Sequence, residues 1–202
     1  MAEIKTIFWD FDGVLMDSNP IRDIGFKKVL SEFPQDQVDE LMVFHKNNGG
    51  WSRYVKFKYF FETIRKEEIS EEEIKVWADK FSAVMLESLC NPDLLIEPTI
   101  SFVKANYNHF AMHIVSGSDG NELRFVCEKL GIADYFLSIH GSPTPKTKLI
   151  QTILETNHYS QKFCLMVGDS YNDYEAASAN SIHFKAYNNV NLESYTNFEF
   201  NF

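Results

Sequence analysis

The chain has 202 residues, of which 45% are apolar and 15% aromatic, and its formal net charge is -10. This length fits one domain, or one core domain that carries an insertion. The apolar fraction excludes a disordered chain, and the negative charge argues against binding to a nucleic-acid backbone. Neither a signal peptide nor a membrane-spanning run stands in the sequence, so we expect a cytoplasmic protein that binds no membrane.

Short apolar runs predict the strands of a parallel sheet. Strands buried on both faces have continuous rather than alternating apolar residues. Most of these runs end in small or acidic residues, which is typical of a strand that leads into a functional loop. The runs cover residues 4–9, 110–115, 135–139, 163–167 and, more weakly, 182–187.

The stretch from about residue 17 to 95 has no convincing buried strand and shows helical spacing instead. Its last helical segment opens with a capping-box pattern, in which Ser70 is followed by Glu73. The sequence therefore predicts an all-helical cap, residues 17–95, inserted into a core of residues 1–16 and 96–202. The predicted cap helices cover residues 20–33, 36–46, 53–65 and 70–89.

Helices also alternate with the later strands. Helical spacing covers residues 122–130, 148–155 and 173–179. Alternating strands and helices predict an α/β domain with right-handed crossovers. The tail, residues 188–202, has alternating phenylalanines and fits either an edge strand or a loosely ordered end.

Two carboxylates follow the first predicted strand. Asp10 and Asp12 stand two residues apart, so both side chains leave the strand on the same side. Open α/β sheets place their active sites at this end of the strands. Adjacent like charges are costly unless a cation compensates them, and a hard divalent ion such as Mg²⁺ suits oxygen ligands. A polar strand end with an Asp-Gly turn is the ordinary alternative.

Another acidic motif follows the run at 163–167. Gly168 is followed by Asp169 and, four residues further on, by Asp173, across a predicted turn from strand to helix. A capped helix N-terminus would explain one of these aspartates. A cap does not explain why aspartates follow this strand as well as the first one.

Two further motifs suit phosphate recognition. Ser116 and Gly117 follow the run at 110–115 and offer a hydroxyl and free backbone N–H groups to a phosphate oxygen. Lys146 directly follows a loop braced by prolines and can neutralise a phosphoryl group, with Lys148 as an alternative. An ordinary turn and a surface lysine explain each motif when it is considered alone.

The four motifs in this order resemble the haloacid dehalogenase (HAD) superfamily of phosphotransferases. The signature there is DxDG(V/T), a Ser or Thr, a Lys and GDxxxD, and the chain matches it at residues 10–14, 116, 146 and 168–173. The resemblance implies an α/β fold with a Rossmann-like, three-layer parallel-sheet core. It also implies an all-helical cap after the first strand, as in members related to β-phosphoglucomutase and phosphoglycolate phosphatase.

The resemblance implies a role for each residue. Asp10 would be the nucleophile that forms an aspartyl-phosphate, and Asp12 the general acid and then the general base. An aspartate at the second position fits phosphatases and phosphomutases rather than dehalogenases. The metal Mg²⁺ would be held by the Asp10 carboxylate, the Asp12 carbonyl and Asp169, with Asp173 in support. The phosphoryl oxygens would be bound by Ser116, the Gly117 N–H and Lys146.

A glycine-containing loop in the predicted cap resembles the specificity loop of β-phosphoglucomutase-like members. Gly50-Trp51-Ser52-Arg53 fits their Gly-x-Ser-Arg string, and Arg53 would bind a second anionic group of the substrate. A surface arginine in a plain helix-turn-helix is the alternative. We expect a phosphatase acting on a small phosphorylated metabolite, such as a sugar phosphate or a phosphoglycolate-like compound. A phosphomutase is the second hypothesis, and a catalytically silent binding module the third.

Overall fold

A computed structural model describes residues 3–202 of the chain. Five parallel strands form one sheet in the order β3-β2-β1-β4-β5, so the first strand of the chain lies at its centre. The predicted parallel sheet is therefore confirmed. The strands are β1 (Thr6–Trp9), β2 (Ala111–Asp119), β3 (Ser138–Ser142), β4 (Cys164–Gly168) and β5 (His183–Ala186).

Residues 19–89 form four α-helices between β1 and β2, as the helical spacing predicts. The predicted capping box is present, because Ser70 accepts from the Glu73 N–H and the Glu73 carboxylate accepts from the Ser70 N–H. A short π-helical stretch, Phe60–Arg65, prolongs the third helix. The helices are α1 (Asn19–Val29), α2 (Gln35–Asn47), α3 (Arg53–Tyr59) and α4 (Glu71–Leu89).

Four more helices cover the two faces of the sheet. Alternating side chains of the three central strands enter two different apolar clusters: Ile7 and Trp9 of β1 join one, and Phe8 joins the other. This alternation produces three layers, because a strand's successive side chains point to opposite faces. The first cluster includes side chains of α5 (Glu97–Asn106) and α6 (Gly120–Lys129), and the second those of α7 (Lys146–Asn157) and α8 (Tyr171–Ala179).

Two segments differ from the sequence-based expectations. Helix α5, which opens with a proline at its second position, was not predicted as a helix. The tail adds no strand to the sheet: after a 3₁₀ helix at Val190–Tyr195, its phenylalanines pack against aromatic side chains of the core. Phe202, for example, lies 5.4 Å from Trp9 between ring centroids. Within residues 3–202, no helix has the length and apolarity needed to cross a membrane.

Candidate active site

Motifs from three strands meet at one edge of the sheet. Asp10 follows β1, Asp169 follows β4, and Ser116 lies in the last part of β2. Because these neighbouring strands are parallel, their carboxyl ends come together at the same edge. The three motifs are therefore neighbours in space although they are far apart in the chain.

Three carboxylates form a tight acidic cluster at this edge. Ligand oxygens of Asp10, Asp169 and Asp173 all lie within 4.8 Å of one another. Burial raises the pKa of Asp10 well above its usual range, and the charge of Asp173 raises it further. Burial, together with Asp173, raises the pKa of Asp169 to about 7. The ionised cluster is therefore unfavourable unless cations compensate it.

Lys146 supplies one of those cations. It opens α7 and is buried, with its Nζ 2.8 Å from Asp10 Oδ1 and also donating to Asp173 Oδ1. Burial alone would lower the pKa of Lys146, but the charges of Asp10 and Asp173 outweigh burial and raise it. Lys148, the alternative considered from the sequence, is exposed and donates to Gln151.

The acidic cluster fits a divalent metal ion. Three carboxylates and the ammonium of Lys146 leave two uncompensated negative charges, which one divalent ion would cancel. The donors are hard carboxylate oxygens, which suit Mg²⁺. Gly13, at φ +81°, leaves the room that Asp169 needs, since a Cβ there would stand 2.0 Å from Asp169 Oδ2. The structure therefore offers a site that could hold such an ion.

Asp12 belongs to a separate network of hydrogen bonds. Its carboxylate accepts from Arg22 Nε at 3.1 Å and from the hydroxyls of Ser18 and Ser118. Burial favours the protonated acid, but Arg22 and the two hydroxyls outweigh burial and lower the pKa of Asp12. The Asp12 carboxylate is therefore held as an anion, and only its backbone carbonyl is left for the metal role that the resemblance implies.

Glu122 extends this network to the helical region between β1 and β2. It is buried at the start of α6 and accepts from Arg53 through two nitrogens, each at 2.7 Å, and from Arg22. Arg53 Nη1 also donates to Ser82 at 2.7 Å. Burial would raise the pKa of Glu122, but the two arginines lower it to about 2. The guanidinium of Arg53 is thus paired with protein side chains and does not face the cavity unpaired.

The glycine-containing loop before α3 contacts the Ser116–Gly117 motif and the acidic motif at residues 168–173. Gly50 has φ +78°, and a Cβ there would stand 2.3 Å from Ser170 Oγ. A Cβ on Gly117 would stand 2.1 Å from the Gly50 carbonyl oxygen. Ser116 is buried beside this contact, and its Oγ accepts from the Ser118 N–H at 3.0 Å. Small residues are required on both sides of this contact because the backbones approach so closely.

A cavity of about 510 Å³ lies between this loop, α1–α3 and the acidic cluster. Its volume falls in the range of small-molecule sites. Ionisable and other polar side chains form most of its lining, as expected for a polar ligand. The acidic and basic side chains among them are Asp10, Asp12, Arg22, Asp23, His45, Lys46, Arg53, Lys56, Asp169 and Glu175.

Comparison with known proteins identifies the family. A model of the haloacid dehalogenase-like hydrolase family matches residues 7–187. The chain belongs to this family. Its relatives include the phosphoglycolate phosphatase of Pasteurella multocida, which is 24% identical over 186 residues, 88% of this chain and 82% of that protein. The predicted HAD-like phosphatase is thus confirmed as to family and enzyme class.

Solved structures of HAD-like proteins share the fold. A predicted phosphoglycolate phosphatase from Haemophilus somnus has a TM-score of 0.69 and 21% identity, with 91% of this chain and 85% of that chain covered. CbbY from Rhodobacter sphaeroides, solved with xylulose-(1,5)bisphosphate, has a TM-score of 0.72 and 14% identity, with 98% and 90% covered. The α/β fold expected from the sequence is therefore confirmed.

Three residues at the candidate site were not identified from the sequence. Arg22, Glu122 and Lys56 line or support the cavity, yet none belongs to a recognised motif. Lys56 left one signal, because it stands three residues after Arg53 and so shares a face of the predicted helix. Arg22 and Glu122 have no such signal in the sequence, because the two residues that form this contact are 100 positions apart.

Proposed function

We propose that this HAD-like enzyme is a Mg²⁺-dependent phosphatase of a small phosphomonoester, either a sugar phosphate or a phosphoglycolate-like compound. The contact of Lys146 with Asp10, inside the acidic cluster, is the observation that carries the proposal. A carboxylate beside a buried ammonium and a divalent-ion site has what phosphoryl transfer needs: a nucleophile and positive charge for the phosphoryl oxygens. The phosphatase relatives support the same reaction class.

Asp10 is the proposed nucleophile. An Asp10 carboxylate oxygen bonds to phosphorus while the bond from phosphorus to the leaving oxygen breaks, and an aspartyl-phosphate results. Water then attacks the phosphorus, the Asp10–phosphorus bond breaks, and inorganic phosphate leaves. The free carboxylate of Asp10 is thereby restored at its position after the central strand.

Asp12 is the proposed proton carrier. It gives a proton to the leaving oxygen in the first step and takes one from the attacking water in the second. Its contacts with Arg22, Ser18 and Ser118 favour the anion, which is the form that the second step needs. The first step needs the protonated acid, so Asp12 takes the proton of the bound monoester monoanion and passes it to the leaving oxygen.

The remaining residues bind the phosphoryl group. Ser116 Oγ, the Gly117 N–H and Lys146 Nζ donate to the transferring oxygens, where charge accumulates in the transition state. Asp10, Asp169 and Asp173, with the Asp12 carbonyl, would hold Mg²⁺, which when bound neutralises charge at the phosphoryl oxygens. In this arrangement residues 17–95 act as the cap that excludes water, and residues 1–16 and 96–202 as the catalytic core.

A phosphate-release screen over a metabolite panel, with Mg²⁺ and with chelator, tests the proposal. We expect release from at least one phosphomonoester, and its loss with chelator. No release from any ester by folded, Mg²⁺-supplied protein would refute it. A phosphomutase would instead return an isomeric phosphate. The Gly50–Arg53 string that suggested a mutase gives no separate support here, because Arg53 is paired with Glu122.

A further inference from the structure

Lys56 is a buried lysine that has no direct ion-pair partner among residues 3–202. It lies on α3, is 4% exposed and lines the cavity that also contains Asp10 and Asp12. It forms no ion pair or hydrogen bond with any of residues 3–202, and its nearest aromatic contact is the Phe26 ring, 5.8 Å from Nζ to the centroid. A buried ammonium is costly unless it is paired, so an unpaired one indicates a ligand.

The other cations of the cavity are occupied or solvated. Within residues 3–202 the cations that line it are Arg22, Lys46, Arg53 and Lys56. Arg22 and Arg53 are paired with Glu122, and Lys46 is exposed to solvent. Lys56 is therefore the buried cation left for a ligand. Burial lowers the pKa of Lys56 to about 7, although the charges of Asp12 and Asp23 act in the opposite direction.

His45 offers an unpaired acceptor near Lys56. Its Nε2 lies 2.9 Å from Asp23 Oδ1, and its Nδ1 is buried without a hydrogen-bond partner in the described chain. A carboxylate only accepts, so Nε2 carries the proton. Burial, together with the charge of Lys56, lowers the pKa of His45 to about 4, so the ring is neutral. Nδ1 then carries a lone pair that has no donor among residues 3–202.

We propose that Lys56 and His45 form a leaving-group subsite, in which Lys56 Nζ binds an anionic group of the substrate and His45 Nδ1 accepts from a neighbouring hydroxyl. This inference rests on the proposed phosphatase function and narrows its substrate class. The class is a phosphomonoester whose alcohol carries both a hydroxyl and a second anion, either a carboxylate or another phosphate. Phosphoglycolate has the anion and lacks the hydroxyl.

Four esters of the same carbon chain test the two contacts separately. Propyl phosphate has neither group, 3-(phosphonooxy)propanoate has the carboxylate, propane-1,2-diol 1-phosphate has the hydroxyl, and 3-phosphoglycerate has both. Propane-1,3-diol bisphosphate replaces the carboxylate by phosphate and so shows which anion is preferred. We expect kcat/KM to rise by roughly tenfold for an anion, the equivalent of one charged hydrogen bond. Equal values for propyl phosphate and all the anionic esters would overturn the subsite.

Variants assign each contact to its residue. Lys56→Met should lower the ratio of kcat/KM for anionic esters to that for propyl phosphate by roughly tenfold. Lys46→Met is the matched control, since Lys46 lines the same cavity but is exposed; it should leave this ratio within about twofold. His45→Phe keeps a ring against Phe26 and should remove only the hydroxyl preference. A ratio lost in the Lys46 variant and kept in the Lys56 variant contradicts the proposal.

A binding measurement separates this inference from the phosphatase proposal. Calorimetric titration with glycerate, an alcohol that carries both groups, requires no turnover. Affinity that falls roughly tenfold in Lys56→Met supports the subsite even if no ester releases phosphate. Turnover with an unchanged ratio of anionic to neutral esters refutes the subsite and leaves the phosphatase function intact.

Discussion

Glu122 accepts two parallel hydrogen bonds from the guanidinium of Arg53, each at 2.7 Å and both buried. This pair joins α3, in the helical region, to the start of α6, which packs on the sheet. Arg22 reaches the same carboxylate and also Asp12. One glutamate therefore pairs with two arginines, and among the described residues it is the only carboxylate that pairs with Arg53.

Glu122→Ala should destabilise the protein strongly. Removal of one member of a buried ion pair leaves an uncompensated charge, and the expected loss in the free energy of unfolding is about 3–5 kcal/mol. Urea unfolding measures it. Glu62→Ala is a suitable control, since its ion pair with Lys58 is solvent-exposed, and its effect should stay below about 1 kcal/mol. Similar losses for both variants would show that the Glu122 network contributes little.

Asp10→Asn should abolish phosphate release. The amide cannot act as the carboxylate nucleophile, while its size preserves the packing at the end of β1. A discontinuous phosphate assay with the best substrate of the screen measures the rate, and circular dichroism checks the fold. A variant that retains the wild-type rate would remove Asp10 from the role of nucleophile.

The stabilising effect of Mg²⁺ should grow with pH. Burial and Asp173 raise the folded-state pKa of Asp169 to about 7, and that of Asp10 is also raised, whereas unfolded aspartates titrate near 3.9. Between these values the metal-free folded protein binds more protons than the unfolded chain, so its stability falls as pH rises. Mg²⁺ replaces those protons. Thermal unfolding with Mg²⁺ or chelator should therefore show a larger difference near pH 8 than near pH 5, and an equal difference would contradict this.

Gly50→Ala should reduce both stability and kcat/KM. The substitution places a Cβ at positive φ and against Ser170 Oγ, so the loop must shift at its contacts with Ser170 and Gly117. We expect a loss of about 1–3 kcal/mol in the free energy of unfolding. Gly49→Ala is the matched control, because its Cβ would meet Ser170 only at 3.7 Å and its φ is not positive. Equal effects at the two positions would refute this account.

Lys56→Met should raise the melting temperature. The variant keeps a long, flexible side chain in the same place and removes a buried ammonium that has no partner among the described residues. Functional sites often reduce stability in this way. A rise of a few degrees, measured by calorimetry without ligand, is expected for about 1 kcal/mol. A fall would mean that Lys56 contributes to the fold rather than to a ligand site.

Residues joined by local chemistry could be predicted from the sequence. The strands were recognisable because buried runs such as Cys164–Gly168 are continuously apolar, and α4 because Ser70 and Glu73 form its cap. The acidic cluster was accessible too, since parallel strands bring their ends to one edge. The structure places Asp10, Asp169 and Asp173 together there.

What could not be predicted depends on pairing between distant segments. The sequence predicts that Arg53 binds a substrate anion, and the roles of all site residues remain predictions. The bidentate contact of Arg53 with Glu122 could not be predicted, because in the sequence Glu122 only marks the start of a helix. The tail was ambiguous for a related reason. Alternating phenylalanines fit a strand, yet Phe200 and Phe202 pack against Phe102 instead.

The pairing of Arg53 with Glu122 also affects how readily α3 separates from α6. If α3 is to move away from α6, the Arg53–Glu122 hydrogen bonds must be exchanged for hydrogen bonds to water. Hydration of charged groups becomes less favourable as temperature rises, so this exchange becomes harder on heating. The Arg53–Glu122 contact between α3 and α6 therefore strengthens with warming, and separation of these two helices is opposed more strongly at higher temperature.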